Sequence, residues 1–389
     1  MLKPKILIFT IAYTPHIGGA EIFIQEITKQ LKNEFDFTLL TARYEKQLPA
    51  EETINGVKIY RLGKGTKWDK FFLPRRIYKK ALELHQQKKF ALAHGIIANH
   101  ATLGAMWFTN KTNVPFLLTE QSGDSDFYMW SRMWFAYPWF KKIYNSAKHV
   151  HVISKYLKKR VMNFGMPENK ISVIPNGIDL KLFNQQFSLV QKNALRKKYN
   201  ILPQEKIIFT ASRLVYKNAI EDLVKAVALL KLTPQISEGL TYKLIIAGNG
   251  DREEKIKKLA LSLGIQKNII FLGAIPQKEL PKFLSISDVF VRPSISEGLG
   301  NSFLEAMAAG IPIIGTKVGG IPDFLIDGKT GLFCKVHNPQ DLTKKIQQIC
   351  EDKKLIKKLS KNGKELAKNY SWDKINLQIK LLFKAHKKC

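Results

Sequence analysis

The sequence predicts an α/β protein in which parallel strands alternate with helices. Short apolar segments are repeatedly followed by longer segments whose apolar residues have helical spacing, and this alternation is typical of a parallel sheet. A glycine pair, Gly18 and Gly19, stands at the first turn from strand to helix. The alternation pauses in a polar stretch at 184–204 and restarts at Ile207, so the 389 residues divide into two domains of ordinary size.

The N-terminal domain is predicted to span residues 1–190. Its first strand, at 5–13, leads through the glycine pair into a helix at 21–32 with an apolar face. Further strands are predicted at 37–42, 57–62, 91–97, 116–119, 150–154 and 171–175, and further helices at 75–88 and 156–164.

The C-terminal domain is predicted to span residues 200–370. A terminal segment at 371–389 follows it, with a helix at 372–387 whose apolar residues Ile375, Ile379 and Leu382 share one face. Strands of this domain are predicted at 207–214, 243–247, 268–272, 289–291 and 312–316, with helices between 339 and 368.

The chain has a large excess of positive charge. Lys and Arg total 63 against 32 for Asp and Glu, a formal net charge of +31. Such an excess favours nucleic acid, an anionic membrane surface or an acidic substrate as partner, although an AT-rich genome would also inflate the lysine count. We expect no nucleic-acid partner, because the chain shows neither aromatic stacking platforms nor a known nucleic-acid module.

The cysteines and the apolar segments indicate a cytoplasmic protein. Cys334, Cys350 and Cys389 are scattered without metal-site spacing, a pattern that favours a reducing cytosol. The apolar start at 6–13 is too short for a spanning helix, and no stretch reaches the ~20 apolar residues that a span requires. Any membrane contact is therefore expected to be peripheral.

The strongest functional signal is a glycine-rich turn between the strand at 289–291 and the helix that follows it. Gly298 and Gly300 allow a tight turn and the close approach of a ligand to the backbone. Asn301 or Ser302 can cap the new helix. The N–H groups at a helix start, together with the positive end of the helix dipole, suit a phosphate or diphosphate group.

Two glutamates flank this turn. Glu297 lies at its mouth, and Glu305 follows eight residues later, inside the helix. Two carboxylates beside a phosphate would repel it, so they are better suited to accept hydrogen bonds from hydroxyl groups. The combination predicts a ligand that carries both a diphosphate and sugars; the alternative is an acidic helix cap with a solvated glutamate.

The Glu-x7-Glu element, followed by Gly-Gly-Ile-Pro at 319–322, resembles the retaining nucleotide-sugar glycosyltransferases of glycosyltransferase family 4. The sequence Pro-Asn-Gly-Ile-Asp at 175–179 is similar to the family's exit from its first domain. The resemblance covers nearly the whole chain. It implies the GT-B fold, with two facing Rossmann-like domains of parallel sheets and a C-terminal helix that crosses back to the first domain.

The resemblance also implies which residues bind the donor. Arg213 and Lys217 would clamp the donor diphosphate with two fixed positive charges. Glu305 would accept hydrogen bonds from the ribose hydroxyls, and Glu297 would hold the hydroxyls of the transferred sugar. The residues of the implied backbone contacts are Ile275 at the base and Gly298, Leu299, Gly300 and Asn301 at the diphosphate turn.

The first domain matches the family pattern less closely. By resemblance Gly19 approaches the donor diphosphate, although a simple turn explains the glycine pair equally well. His94 is a candidate catalytic or sugar-contacting residue, with a core histidine as the alternative. Where relatives often have Thr-x-His, this chain has Thr119-Glu120-Gln121, and a glutamine cannot titrate.

The segment FYMWSRMWFAYPWFKK at 127–142 is unusually aromatic. It predicts either a core helix interrupted at Pro138 or an interfacial patch in which Trp130 and Trp134 enter the headgroup region of an anionic membrane. Basic runs elsewhere in the first domain fit the second interpretation, because cations near an anionic leaflet favour binding to it.

We therefore predict a retaining glycosyltransferase that moves a sugar from a UDP- or GDP-linked donor to a hydroxyl acceptor. The acceptor is predicted to be a lipid-linked glycan or a polysaccharide precursor, at the inner face of the membrane. The resemblance implies no cofactor besides the nucleotide-sugar co-substrate and no essential metal, because the leaving phosphate itself accepts the acceptor's proton. Two alternatives remain: an epimerase or hydrolase of the same fold, and a non-catalytic basic membrane-binding protein.

Overall fold

The chain forms two compact units in the computed structural model, each built on its own sheet. The first unit combines Met1–Gly177 with Trp372–Cys389, and the second is Ile178–Ser371. The residues that the structure describes are 3–16, 18–66, 68–124, 137–232 and 241–388.

The described strands of the first unit make one sheet. They are β1 (Lys5–Phe9), β2 (Asp36–Ala42), β3 (Glu51–Ile54), β4 (Val57–Leu62), β5 (Leu92–Ile96), β6 (Phe116–Glu120), β7 (His149–Val152) and β8 (Ile171–Val173). Their order is β3-β4-β2-β1-β5-β6-β7-β8, and every neighbouring pair is parallel except β3 and β4. The central strands are almost wholly buried, which is why the stretches at 6–9 and 116–118 read as continuous apolar runs rather than as an alternating pattern.

Helices connect these strands. In the first unit they are α1 (Gly19–Leu31), α2 (Asp69–Lys88), α3 (His100–Thr112), α4 (Tyr137–Ser146) and α5 (Lys155–Asn163). The parallel pairing of β1, β2 and β5 requires such crossovers. Helix α3 was not predicted; its only strong start signal is Asn99, whose side chain accepts hydrogen bonds from the amides of Ala101 and Thr102.

The antiparallel strand β3 was also missed. It joins β4 through Asn55 and Gly56, whose φ angles are 50° and 85°. An Asn-Gly pair is a strong hairpin signal, but β3 is polar and alternates between exposed and half-buried positions. The apolar pattern that revealed the other strands is therefore weak in this edge strand.

The terminal helix α14 (Trp372–His386) belongs to the first unit, as the predicted fold class requires. Its apolar face joins the core of that unit: Phe383 packs against Phe35 with ring centroids 5.6 Å apart, and Trp372 packs against Phe23 at 6.4 Å. A Cβ atom on Gly177 would lie 2.4 Å from the Trp372 ring, so only glycine fits there.

The second unit carries a fully parallel sheet. Its described strands are β9 (Lys206–Ala211), β10 (Tyr242–Ala247), β11 (Ile269–Gly273), β12 (Val289–Arg292), β13 (Ile313–Thr316) and β14 (Leu332–Cys334), in the order β11-β10-β9-β12-β13-β14. The two sheets thus confirm the predicted α/β class.

The helices of the second unit include one, at 189–198, in the stretch at 184–204 that the sequence presents as a polar linker. They are α6 (Leu180–Phe183), α7 (Leu189–Lys198), α8 (Ile220–Leu232), α9 (Glu253–Ser262), α10 (Leu280–Leu284), α11 (Asn301–Ala308), α12 (Pro339–Glu351) and α13 (Lys353–Ala367).

The division between the units lies earlier than the predicted boundary near 190–200. It falls after Gly177, because the segment that follows packs on the second unit. Phe183 of α6 is 1% exposed, and Tyr199 stacks edge-on against Phe283 at 5.6 Å. Because this segment is mostly polar in sequence, the packing of Phe183 and Tyr199 on the second unit could not be predicted from it.

Candidate active site

The carboxyl ends of strands β9 and β12 meet at one edge of the second sheet. The two strands are parallel neighbours, so the loops that leave them lie side by side, at the edge where open α/β sheets bind ligands. A hydrogen bond of 2.7 Å from the Ile295 amide to the Lys217 carbonyl joins the two loops directly. Arg213 and Lys217 on one loop and Glu297 on the other therefore share this edge.

The glycine-rich turn is held by backbone geometry rather than by a side-chain cap. Gly300 is the N-cap of α11 with a φ of 101°, a conformation that favours glycine, and no side chain caps the helix. The expectation that Asn301 or Ser302 caps it was wrong, because Asn301 is already the first helical residue. The main-chain groups of Leu299, Gly300 and Asn301 thus form the turn at the start of the helix.

The Gly-Gly pair at 319–320 packs against the backbone of this turn at Glu297. The Gly320 amide donates to the Glu297 carbonyl at 3.2 Å. Gly319 has a φ of 54°, and a Cβ atom there would lie 1.7 Å from the same carbonyl oxygen. The pair therefore fixes the position of Glu297.

Arg292 is a central residue of the site that the sequence analysis did not identify. It ends β12, is 6% exposed, and its guanidinium bonds the Glu297 carboxylate and the Ser302 hydroxyl, the latter at 2.8 Å. It also lies 4.9 Å from the centroid of the Phe303 ring. Arg292 thus ties both ends of the turn together; an arginine closing an otherwise apolar buried strand was the signal available in the sequence.

Glu305 is a buried carboxyl group. Its side chain accepts a hydrogen bond of 2.6 Å from the Gln277 amide, and the residue is 6% exposed. Burial raises the pKa of Glu305 from 4.5 to about 7, although the Gln277 hydrogen bond and the positive charge of Arg292 oppose that rise. The carboxyl group therefore changes its protonation state near neutral pH.

Gln277 also connects Glu305 to the predicted base-binding loop. It begins a short 3-10 turn two residues after Ile275, in the loop that follows β11. Ile275 is half-buried. The structure thus brings together, in one unit, the loop of Ile275, the acid Glu305 and the glycine-rich turn.

Gly19 and His94 belong to the first unit. Gly19 opens α1 at the carboxyl end of β1, and no atom lies within 4 Å of a Cβ built on it, so protein packing does not require glycine there. The neighbouring Gly18 amide donates to the Glu21 carboxylate at 2.8 Å, which fixes the loop.

His94 is a core residue of the first unit. It is 1% exposed, its Nε2 lies 2.7 Å from the Thr119 hydroxyl, and that hydroxyl lies 3.0 Å from Nδ1 of His151. Burial lowers the pKa of His94 to about 3, so its ring stays neutral. The geometry favours the core interpretation over a catalytic role, because the ring is closed off from solvent by protein.

The predicted aromatic patch is described only in part. Trp130 and Trp134 lie outside the described residues. Trp139, in α4, is 47% exposed, and the ammonium of Lys142 lies 5.0 Å from the centroid of its ring. Among the helices that the structure describes, none is long and apolar enough to cross a membrane.

Comparison with known proteins agrees with this architecture. A family model described as Glycosyltransferase Family 4 matches residues 17–182, and one described as Glycosyl transferases group 1 matches residues 191–366. An uncharacterized glycosyltransferase of Methanocaldococcus jannaschii is 29% identical over 386 residues, which cover 95% of each chain.

Solved structures share the fold. Sucrose-phosphate synthase from Thermosynechococcus elongatus superposes with a TM-score of 0.81 at 22% identity, over 99% of each chain. The Anabaena protein HepE, in a complex with UDP and glucose, superposes with a TM-score of 0.79 at 18% identity, over 98% of this chain and 100% of its own.

Fold and site together define a glycosyltransferase of the GT-B class. The chain belongs to glycosyltransferase family 4, with the two domains of that family in order along the sequence. It is therefore a transferase enzyme.

The role of Arg292 can be separated from its contribution to folding. We expect Arg292→Met to lower kcat/KM about tenfold to a hundredfold, because Glu297 loses the partner that orients it. Breaking a buried ion pair from one side also destabilises the fold by about 3 kcal/mol. Arg292→Lys should recover part of the stability but little activity, because the single ammonium group of lysine cannot bond Glu297 and Ser302 in the geometry of the planar guanidinium.

A double variant is the matched control for this prediction. Arg292→Met combined with Glu297→Gln removes the unpaired charge, so its melting temperature should exceed that of Arg292→Met alone. Its kcat/KM should stay low. Full activity in Arg292→Met would contradict the proposed orienting role.

Proposed function

We propose that this enzyme is a retaining glycosyltransferase that uses a UDP-sugar donor and a hydroxyl acceptor. The proposal rests chiefly on one observation: the carboxyl edge of the second sheet holds two cations, a glycine-rich helix start and a buried acid within connected loops. Diphosphate, ribose and sugar hydroxyls are the groups that such a set recognises. The complex of HepE with UDP and glucose supports UDP as the nucleotide; a GDP-sugar is the second candidate.

In this proposal each residue acts on a stated part of the donor. Arg213 and Lys217 neutralise the diphosphate and stabilise the charge that develops on it as its bond to the sugar breaks. The main-chain amides of Leu299, Gly300 and Asn301 donate to the phosphate oxygens. These contacts would supply the stabilisation of the leaving group without a metal or a further cofactor.

The two acids hold the hydroxyl groups. Glu305, when ionised, accepts from the ribose hydroxyls, and Glu297 accepts from the hydroxyls of the transferred sugar while Arg292 orients it. The acceptor oxygen then bonds to the anomeric carbon on the face that the diphosphate leaves. The acceptor's proton passes to the departing phosphate oxygen, so the configuration of the anomeric carbon is retained.

We further propose a lipid-linked glycan or polysaccharide precursor as the acceptor, with the enzyme bound at the inner face of an anionic membrane. The net charge of +31 supports a contact with anionic lipid. The exposed Trp139, with Lys142 over its ring, is the kind of pair that membrane interfaces favour.

The experiment has two stages. Thermal unfolding with UDP, GDP and their sugar conjugates should show a raised melting temperature with the UDP series, because a ligand that binds only the folded state stabilises it. The preferred donor is then incubated with and without lipid-linked acceptors, and the product's anomeric configuration is determined by NMR. Turnover that needs no acceptor would favour an epimerase or hydrolase, and inversion would exclude the retaining mechanism.

A further inference from the structure

Three aromatic side chains at the start of α2 are exposed next to each other. Trp68 is 71% exposed, Phe71 55% and Phe72 58%. The rings of Trp68 and Phe71 lie 5.8 Å apart. Scattered exposed apolar residues are normal on a protein surface, but contiguous exposed aromatic residues indicate an interaction site.

These aromatic residues continue into a basic stripe on the same helix. Arg75 and Lys79 are exposed and follow at spacings of three to four residues, so Trp68, Phe71, Phe72, Arg75 and Lys79 share one side of α2. We call this set the aromatic–basic face. The opposite side of α2 is a core side, on which Leu73, Ile77, Ala81 and Leu84 are buried.

The five residues of the aromatic–basic face are aromatic or basic, and the next exposed residue along this side of α2, Glu83, is bonded to Lys80 at 2.8 Å. Asp69, the acidic residue in the first turn of α2, is 4% exposed and bonded to Arg76. Its carboxylate also accepts hydrogen bonds of 2.8 Å from the amides of Lys64 and Thr66. Although burial alone would raise the pKa of Asp69, the bond from Arg76 and those from the loop lower it to about 2, so Asp69 stays ionised and fixes the loop that carries Trp68.

The fold anchors α2 firmly and places the aromatic residues at a specific edge. A Cβ atom on Gly104 of α3 would lie 2.6 Å from the Pro74 carbonyl, so the two helices pack closely. Helix α2 follows β4, which is parallel to β2. Its first turn, with the aromatic residues, therefore lies at the carboxyl edge of the first sheet, where open α/β sheets bind their ligands.

We propose that the aromatic–basic face binds the surface of an anionic lipid bilayer. The aromatic rings would enter the headgroup region, and Arg75 and Lys79 would contact the lipid phosphates. This inference rests on the proposed function, because it gives the membrane contact of the enzyme a defined place. It would also hold the carboxyl edge of the first sheet near a lipid-linked acceptor.

A bilayer fits this face better than a second copy of the chain. Two such faces brought together would place the exposed Arg75 and Lys79 of one copy against those of the other, while the exposed Glu83 of each copy is already bonded to Lys80. An anionic leaflet supplies both the negative charge and the interface between water and hydrocarbon that tryptophan prefers.

The test uses the full chain and vesicles of phosphatidylcholine with or without one third phosphatidylglycerol. We expect binding to the anionic vesicles, weakening at high salt, and little binding to phosphatidylcholine alone. Replacing Arg75 and Lys79 with glutamine should weaken binding about twentyfold. The change Phe71→Ser with Phe72→Ser should weaken it about tenfold.

Matched controls exist within the same chain. Leu377 and Leu381 of α14 are 56% and 58% exposed, and their replacement with serine should leave vesicle binding unchanged. Lys353 and Lys357 of α13 are exposed, and their replacement with glutamine controls for the loss of two charges. A blue shift of Trp68 emission on binding, absent in Trp68→Phe, would place the ring in the bilayer.

Each outcome is decisive. If the variants of the aromatic–basic face bind anionic vesicles as strongly as the wild type does, the inference is overturned. It is also overturned if the wild type does not bind the vesicles. A concentration-dependent dimer that the Phe71 and Phe72 changes abolish would overturn it as well. The melting-temperature shift with UDP, measured without vesicles, should be equal in all variants; its absence in every protein would reject the donor proposal while the membrane inference stands on the vesicle data.

Discussion

Replacing Arg213 or Lys217 with alanine is expected to lower kcat/KM about a hundredfold to a thousandfold each. Each cation would stabilise the negative charge that builds up on the leaving diphosphate, and losing one preorganised donor of this kind typically costs about 3 kcal/mol of the activation barrier. Steady-state kinetics with the preferred nucleotide-sugar would measure the loss.

The fold should survive both changes. Arg213 is exposed, and the contact of Lys217 with the neighbouring loop uses its carbonyl, which alanine retains. Melting temperatures should therefore stay close to that of the wild type. Lys357→Ala, on the exposed side of α13, is the control for a generic loss of charge. Unchanged kcat/KM in the Arg213 and Lys217 variants would remove the basis of the diphosphate assignment.

Changing Glu305 to glutamine is expected to lower kcat/KM about a hundredfold, because an amide offers the ribose hydroxyls one acceptor oxygen where the carboxylate offers two. The wild-type enzyme should show kcat/KM rising with pH through about 7, the pKa of Glu305, since only the ionised form accepts from both hydroxyls. The pH–rate profile of Glu305→Gln should lack this step.

Stability gives a second, independent measurement of the same group. The folded-state pKa of Glu305 lies above its ordinary 4.5, so the unfolded chain releases this proton at a lower pH than the folded protein does. The contribution of Glu305 to the free energy of unfolding therefore falls as pH rises from about 4.5 to about 7. Glu305→Gln should lack that fall and be at least as stable as the wild type at pH above 7.

The partner of Glu305 supplies the control. Gln277→Ala removes a hydrogen bond that lowers the pKa of Glu305, so the midpoint of the pH–rate profile should move to higher pH. A wild-type profile flat between pH 6 and 8, two values that bracket the expected pKa of about 7, would show that Glu305 does not act as proposed.

Much of the architecture follows from apolar patterning. The buried strands β1, β9 and β12 are short apolar runs, and each was predicted because a strand buried on both faces has nothing polar to interrupt it. The edge strand β3 and the helix α7 were not predicted because their composition is polar. Helix α6 was not predicted because its four residues, Leu-Lys-Leu-Phe, are too few to show a helical repeat.

The site was predictable where one segment carries it. The turn from Glu297 to Glu305 is continuous in sequence, so its two acids and its glycines could be read together. Gln277 lies 28 residues before Glu305 and contacts it only in the folded chain. Arg292 lies close in sequence, but its buried bonds to Glu297 and Ser302 depend on the geometry of the turn between them.

The return of α14 to the first unit has a consequence for biosynthesis. The rings of Phe35 and Phe383 pack together although nearly the whole chain separates them. On the ribosome, the apolar interior of the first unit can close only after α14 has been made, whereas Ile178–Ser371 is synthesised before that helix. Nascent chains that stall before α14 would therefore expose the phenylalanine-rich surface that this helix covers, and chaperones bind such exposed apolar surfaces.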